Sequence, residues 1–263
     1  MQDTDIAFDG EVAQPVDPGD TLGLRVLHNA GWTFIYLGFL TLGFVVHQLF
    51  ITTWFAQQAQ SELALEREEQ WEETEISEVV VVANPDNPNE PIVVPESTDA
   101  PDQGEQGRPL VLKVESAPEL GTAFALIRIP RIERLQEGWN VVEGVRTRDL
   151  RSGAGHMPDT ALPGQPGNAV ISGHRTTYGQ PFHELDALDP GDRIEVDTAL
   201  GTHIYEVREF RIVKPTDTWV ADPREGAWLT LTTCHPKFSA RERYVVFAEL
   251  VFGPNAEAIE VMS

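Results

Sequence analysis

The only cysteine of the chain, Cys234, ends an apolar run at residues 229–234 and is followed by the turn-forming sequence His-Pro-Lys-Phe. A thiol at the end of a strand and beside a turn lies near solvent, where it is able to act as a nucleophile. The alternative is a buried structural cysteine, which is the more common role. One cysteine excludes an internal disulfide and the usual cysteine-based zinc site. We therefore interpret Cys234 as a candidate nucleophile.

A second candidate, His174, ends the apolar run VIS-Gly-His within residues 170–179. A thiol nucleophile needs an imidazole that accepts and returns its proton. His235 is adjacent to Cys234, but neighbouring residues of a strand point to opposite faces, so we rank it below His174. The other histidines are expected to be surface or hydrogen-bonded residues: His28, His47, His156, His183 and His203.

A third candidate, Arg243, opens the last predicted strand. A fixed guanidinium stabilises the oxyanion that forms during thioester chemistry. Composition alone does not separate Arg243 from its neighbour Arg241, and a strand-edge salt bridge is the alternative role. Thr232 and Thr233 precede the cysteine and either shape a substrate groove or reflect strand propensity.

The elements that carry these residues are short apolar runs rich in Val, Ile, Phe and Thr, separated by Gly, Pro and Asp turns. They predict strands at residues 123–129, 139–144, 168–174, 192–198, 203–213, 227–234 and 243–252. Seven or eight strands with little helix, after residue 119, indicate an all-β fold in the form of a closed or nearly closed barrel.

The N-terminal part of the chain has a different character. Residues 26–61 contain no charged residue, and residues 31–55 are predicted to form one transmembrane helix after an acidic tail at residues 1–30. Arg25 before the span favours a cytoplasmic N-terminus and an extracytoplasmic C-terminus. Residues 56–118 are acidic and rich in proline, which predicts a solvated stalk and an extended linker. The catalytic domain is then expected at residues 119–263.

Charge and composition exclude several classes of function. The net charge is −23, and residues 1–119 hold 22 acidic but only 4 basic residues. A protein with this charge and without a basic patch is a poor nucleic-acid binder. The acidic clusters lie in the predicted stalk and form no EF-hand loop, so we expect no metal and no cofactor.

Three segments together resemble the sortase family. They are the Ile-Pro-Arg-Ile run at residues 129–132, residues 155–179 with their Gly-His-Arg sequence, and residues 230–250 with Thr-Leu-Thr-Thr-Cys and the downstream arginine. The resemblance covers residues 120–252 and is strongest to the class E type of high-GC Gram-positive bacteria. It implies an eight-stranded β-barrel with short helices that is tethered outside the cytoplasmic membrane.

The resemblance also implies a reaction. The cysteine, here Cys234, cleaves the Thr–Gly bond of an LPxTG-like sorting signal and forms a thioacyl enzyme, with His174 as acid–base and Arg243 as the catalytic arginine. An amine of a peptidoglycan precursor, or of its lipid-linked form, then resolves the intermediate. Many class E relatives carry tyrosine where this chain has Met157, and that tyrosine is associated with LAxTG signals. Met157 cannot donate a hydroxyl hydrogen bond, so the preference between LAxTG and LPxTG stays open.

Two alternatives remain. A pilin-polymerising sortase performs the same chemistry with a lysine acceptor, but such enzymes often carry a second membrane helix. The sequence between the last strand and Ser263 holds no such span, which favours the housekeeping type. The other alternative is a catalytically silent, membrane-tethered binding module with the same fold, against which the complete set of candidate residues argues.

Overall fold

A computed structural model describes residues 22–47, 52–82, 92–94 and 110–262. The chain divides into two compact units, which meet in sequence between Val46 and His47. The first unit contains helix α1, Leu22–Val46. Residues 23–46 of this helix are long and apolar enough to cross a bilayer, with a mean hydropathy of 1.5 and no buried side chains.

The helix boundaries differ from those expected from the sequence. The predicted span covers residues 31–55, whereas α1 begins at Leu22 and includes Arg25. Residues 52–55 belong to helix α2, Thr52–Glu73, in the second unit. Residues 1–21 of the predicted acidic tail lie outside the described residues.

The second unit is built on a closed eight-stranded barrel, which confirms the predicted fold. Around the barrel the strands follow the order β10-β11-β9-β8-β4-β5-β6-β7, and β7 closes it by pairing with β10 in parallel. The strands are β4 Ala123–Arg128, β5 Trp139–Glu143, β6 Ala154–His156, β7 Gly167–Ser172, β8 Arg193–Thr198, β9 Gly201–Val213, β10 Ala227–His235 and β11 Glu242–Phe252. The sequence pattern missed β6, because three residues are too few to show an alternation.

Inward-facing apolar residues fill the barrel. Leu229 and Leu231 of β10 belong to the core, together with Ile171 of β7 and Val246 of β11. Since side chains alternate along a strand, the residues between them face outward. Short helical segments lie between strands: α3 at Thr147–Ser152 and 3₁₀ turns at Glu133–Leu135, Leu185–Ala187 and Thr218–Ala221. Helix α4, Ala256–Met262, follows the last strand.

Helix α2 packs on the barrel, so residues 56–73 of the predicted stalk belong to the folded unit. Ala56 and Leu63 are buried, and Leu63 clusters with Ala123 of β4 and Val142 of β5. Arg67 is also buried and donates a hydrogen bond to the side chain of Asn140. The buried residues are separated by seven and four positions, which is one stripe of a helix. This stripe is difficult to recognise in the sequence, because one of its three residues is charged and the surrounding residues are acidic.

A small antiparallel sheet precedes the barrel in the order β2-β1-β3, with β1 at Ile76–Val82, β2 at Ile92–Val94 and β3 at Leu110–Glu115. The amide of Asn255 accepts from the backbone N–H of Lys113 at 2.9 Å and donates to its carbonyl at 2.8 Å, which ties β3 to the barrel unit. The valine run at residues 79–82 is therefore part of a strand, within the segment that the sequence predicted as stalk and linker. The remaining proline-rich residues, 83–91 and 95–109, lie outside the described residues.

Candidate active site

Cys234 and Arg243 are direct cross-strand partners in the antiparallel pair β10–β11. Side chains of directly opposed residues lie on the same face of a sheet, with Cβ atoms about 5 Å apart. That face is the outer one, because Leu231 and Val246, at positions of opposite parity, point into the core. The thiol is free and partly exposed. The fold thus places a nucleophile and a guanidinium side by side on the outside of the barrel wall.

The parallel pair β7–β10 brings His174 to the same strand end. Ser172 is in register with Thr232. The backbone N–H of Gly173 then donates to the Thr232 carbonyl at 3.0 Å, and the Thr233 hydroxyl donates to the Gly173 carbonyl at 2.8 Å. Continuing this register by two residues sets the backbone of His174 level with that of Cys234. The backbones of the three predicted site residues therefore lie at the same end of three neighbouring strands.

The imidazole of His174 is partly buried and packs against an aromatic ring. Its ring is tilted against the ring of Tyr178, with centroids 5.0 Å apart. Nε2 is buried and has no hydrogen-bond partner among the described residues. Burial lowers the pKa of His174 below its usual value, and the positive charge of Arg151 lowers it further. Both effects favour the neutral imidazole, which is the form that is able to accept a proton.

The two candidate arginines differ in their surroundings. Arg243 is half-buried, and its Nη1 donates to the carbonyls of Ala240 and Glu242, each at 3.0 Å. These bonds hold the guanidinium over the turn that links β10 to β11. Arg241 is exposed and precedes β11. Geometry thus favours Arg243, which the sequence alone did not separate from Arg241.

An open pocket of about 190 Å³ lies on this outer face. Its walls come from β7, β10 and β11 on one side and from the segment with the Thr218–Ala221 turn on the other. Its lining residues include Met157, Ser172, Thr232, Arg243 and Val245. The Ser172 and Thr232 hydroxyls are 2.8 Å apart and form a polar floor. The pocket is suited to an extended, partly apolar peptide segment, and it includes Arg243, the cross-strand partner of Cys234.

The predicted substrate-binding residues are thus divided between two places. Met157 and Thr232 line the pocket. Thr233 does not, because it points to the barrel interior, is 2% exposed and uses its hydroxyl to hold Gly173. Strand alternation contained this information, since Thr233 has the parity of the core residues Leu229 and Leu231.

Three further histidines of the second unit make defined contacts. His156 is buried and binds Glu143 through Nδ1 at 2.6 Å, and His203 binds the Thr198 hydroxyl at 3.0 Å. His183 lies 2.7 Å from the carbonyl of Arg175. Among the described residues, no group of three or more His, Cys, Asp or Glu side chains is arranged to hold a metal ion.

Sequence reasoning missed three residues of the site. Ser172 contributes to the pocket floor, Tyr178 contacts His174, and Arg175 bonds to the carbonyl of Cys234 at 3.2 Å. All three lie within the segment from Val170 to Gly179 that carries the resemblance. Their contacts in the folded chain identify them as site residues, whereas the sequence does not distinguish them from neighbouring residues.

Comparisons with known proteins agree with this architecture. A family model described as Sortase domain matches residues 127–251. Sortase D of Bacillus subtilis (strain 168) is 34% identical over 144 residues, covering 53% of this chain and 69% of that protein. Sortase SrtE1 of Streptomyces coelicolor is 32% identical over 149 residues, covering 51% of this chain but only 42% of SrtE1.

Among solved structures, sortase E from Streptomyces avermitilis is 36% identical, with a TM-score of 0.47, covering 51% of this chain and 91% of that one. The resemblance seen in the sequence is confirmed by the family model and by Sortase D, two thirds of which this chain spans. This chain belongs to the sortase family.

Proposed function

We propose that this protein is a membrane-anchored cysteine transpeptidase that cleaves the Thr–Gly bond of an LPxTG- or LAxTG-like sorting signal. The observation that carries the proposal is the cross-strand pairing of Cys234 with Arg243, which lines the pocket. The thiol and the guanidinium share one face there, and the β7–β10 register brings His174 to the same level. A silent binding module has no need of these three groups together.

In the acylation step, the sulfur of Cys234 attacks the threonine carbonyl while the neutral imidazole of His174 accepts the thiol proton. The carbonyl oxygen becomes an oxyanion, which the Arg243 guanidinium stabilises. As the intermediate collapses, the C–N bond to glycine breaks and the imidazolium returns the proton to the leaving amine. The products are a thioester on Cys234 and a peptide with a free glycine amine.

In the transfer step, an acceptor amine attacks the thioester carbonyl and forms a new amide bond. His174 takes the proton of the incoming amine, and the departing sulfur of Cys234 recovers a proton from the imidazolium. The acceptor we propose is an amine of a peptidoglycan precursor, free or lipid-linked. This joins the protein that carried the sorting signal to the cell wall.

The pocket lined by Met157 and Thr232 is proposed to hold the residues that precede the scissile bond. A thioether cannot donate a hydrogen bond to the peptide backbone, so discrimination at the second position of the signal depends on shape and apolar contact. Helix α1 is proposed to anchor the enzyme with its catalytic unit outside the membrane, consistent with Arg25 near the N-terminal end of the helix.

The test uses the full chain in detergent micelles with two fluorogenic peptides, one carrying LPxTG and one LAxTG. Each peptide is incubated with and without an added glycine-based amine, and Cys234→Ala serves as the matched control. We expect cleavage at Thr–Gly and amine transfer by the wild type only. A folded wild type that cleaves neither peptide, with or without the amine, would contradict the proposal and favour the binding module.

A further inference from the structure

Arg175 follows His174 directly in the chain, and the residue is only 2% exposed. Its Nη1 donates to the backbone carbonyl of Cys234 at 3.2 Å and to Nδ1 of His235 at 2.9 Å. Its Nη2 lies 2.7 Å from Oδ2 of Asp186. One guanidinium therefore contacts the strand end that bears the candidate nucleophile and the 3₁₀ turn beyond the candidate acid–base.

The segment that carries Arg175 is itself held in place. The backbone N–H of Phe182 donates to the His174 carbonyl at 3.2 Å, and the His183 ring lies 2.7 Å from the Arg175 carbonyl. Strand pairing of β7 with β10 reaches Ser172 and Thr232, and the bonds of Gly173 extend it by one residue. The guanidinium supplies the next connection between the two segments, at the level where the chemistry occurs.

We propose that Arg175 is a positioning residue that fixes the spacing between the His174 imidazole and the Cys234 thiol. This inference rests on the proposed transpeptidase function. A guanidinium is suited to the role because its planar fork reaches acceptors in different directions at once. A lysine has one ammonium and reaches only some of them. A buried cation that loses its partners is costly, so the connection is expected to be rigid.

Proton transfer between sulfur and imidazole depends steeply on their separation. A displacement of about 1 Å is able to lower a catalytic rate by about 100-fold. Arg175 does not line the pocket, so its loss is expected to leave peptide binding unchanged. The expected signature is therefore a slower chemical step at an unchanged half-saturating peptide concentration.

The experiment measures single-turnover acylation of the full chain in detergent micelles by rapid quench and intact-protein mass spectrometry. The probes are the LPxTG and LAxTG peptides, at several concentrations and without an acceptor amine. The amplitude of acylation counts folded, competent enzyme, whereas the rate constant reports the geometry of the site. A misfolded fraction lowers the amplitude and leaves the rate constant alone.

We expect Arg175→Met to lower the rate constant by about 100-fold and Arg175→Lys by about 10-fold, with a half-saturating concentration close to that of the wild type. Asp186→Asn removes the negative charge of one partner and is expected to give a smaller loss. The matched control is Arg128→Met, because Arg128 is likewise held by carboxylates, in ion pairs with Glu195 and Asp197, but contacts none of the site residues. The control should retain the wild-type rate constant.

Three outcomes separate the two proposals. Equal rate constants for Arg175→Met and wild type, with only the amplitude reduced, would overturn the positioning role while leaving the transpeptidase function in place. If Arg175→Met does not fold, wild-type rate constants in both Arg175→Lys and Asp186→Asn would overturn it equally. A wild type that is not acylated by either peptide would contradict the proposed function and this inference together.

Discussion

Gln60 of helix α2 accepts a hydrogen bond from the backbone N–H of Asn140 in β5, with 2.8 Å between the two atoms. The amide of Gln60 also donates to the carbonyl of Ser152 at 2.8 Å, at the end of helix α3. Asn140 is 4% exposed, so these bonds satisfy polar groups that are removed from water. Helix α2 is therefore an integral part of the catalytic unit and covers the wall formed by β4 and β5.

The packing of α2 predicts a stability difference between two leucines of the same helix. Leu63 is 8% exposed against Ala123 and Val142, whereas Leu65 is 70% exposed. Leu63→Ala should lower the free energy of unfolding by about 2–4 kcal/mol, because it leaves a cavity at the contact. Leu65→Ala should change it by less than about 0.5 kcal/mol. Urea unfolding followed by tryptophan fluorescence measures both, and equal values would contradict the docking of α2.

Substitution of the two arginines near the turn between β10 and β11 is expected to have different effects on activity. Arg243→Ala should lower kcat/KM by about 100- to 1,000-fold, since the oxyanion loses its stabilising charge. Arg241→Ala should stay within about threefold of the wild type, because the side chain is exposed and lies outside the pocket. Steady-state cleavage of the sorting-signal peptides measures the pair. An inactive Arg241→Ala beside an active Arg243→Ala would reverse the assignment.

The charge of Arg151 predicts a change in the pH–rate profile. This positive charge lowers the pKa of His174, in addition to the effect of burial. Arg151→Gln should therefore raise the pKa of His174 and move the acid limb of kcat/KM to higher pH. The matched control is Arg148→Gln on the same helix, an exposed residue that pairs with Asp149. Identical acid limbs in Arg151→Gln and wild type would show that Arg151 does not act on the imidazole.

The buried side chain of His203 in β9 predicts a loss of stability in acid. Burial lowers the pKa of His203 to about 4, against 6.5 for the exposed group. Between pH 6.5 and about pH 4, the unfolded chain binds a proton at His203, whereas the folded chain does not. The free energy of unfolding therefore falls as the pH decreases through this window. The loss amounts to about 3 kcal/mol.

The measurement is the urea unfolding free energy at a series of pH values between 7 and 4, for the wild type and for His203→Gln. Glutamine keeps polar groups within reach of Thr198 but does not titrate in this range. The expected result is a shallower dependence on pH in the variant, whatever its absolute stability. Parallel curves for the two proteins would place the acid sensitivity in another group.

The sequence determined the class of fold and indicated the chemistry that we propose. A sole cysteine at the end of an apolar strand, a Gly-His-Arg segment and an arginine at the start of the last strand sufficed to select Cys234, His174 and Arg243 as candidates. Alternating β-branched runs sufficed for the barrel. These features are local, because strand period and turn residues are written over a few consecutive positions.

The tertiary structure alone decided which of these residues meet and what supports them. The register of β10 against β11 favours Arg243 over Arg241. The buried residues of helix α2 lie among acidic residues in the sequence, so its docking is recognised only from the contacts of Gln60 and Leu63 with the barrel. Likewise, the role of Arg175 depends on acceptors about sixty residues away in sequence. Such contacts follow from the closure of the barrel, and local sequence patterns carry no information about them.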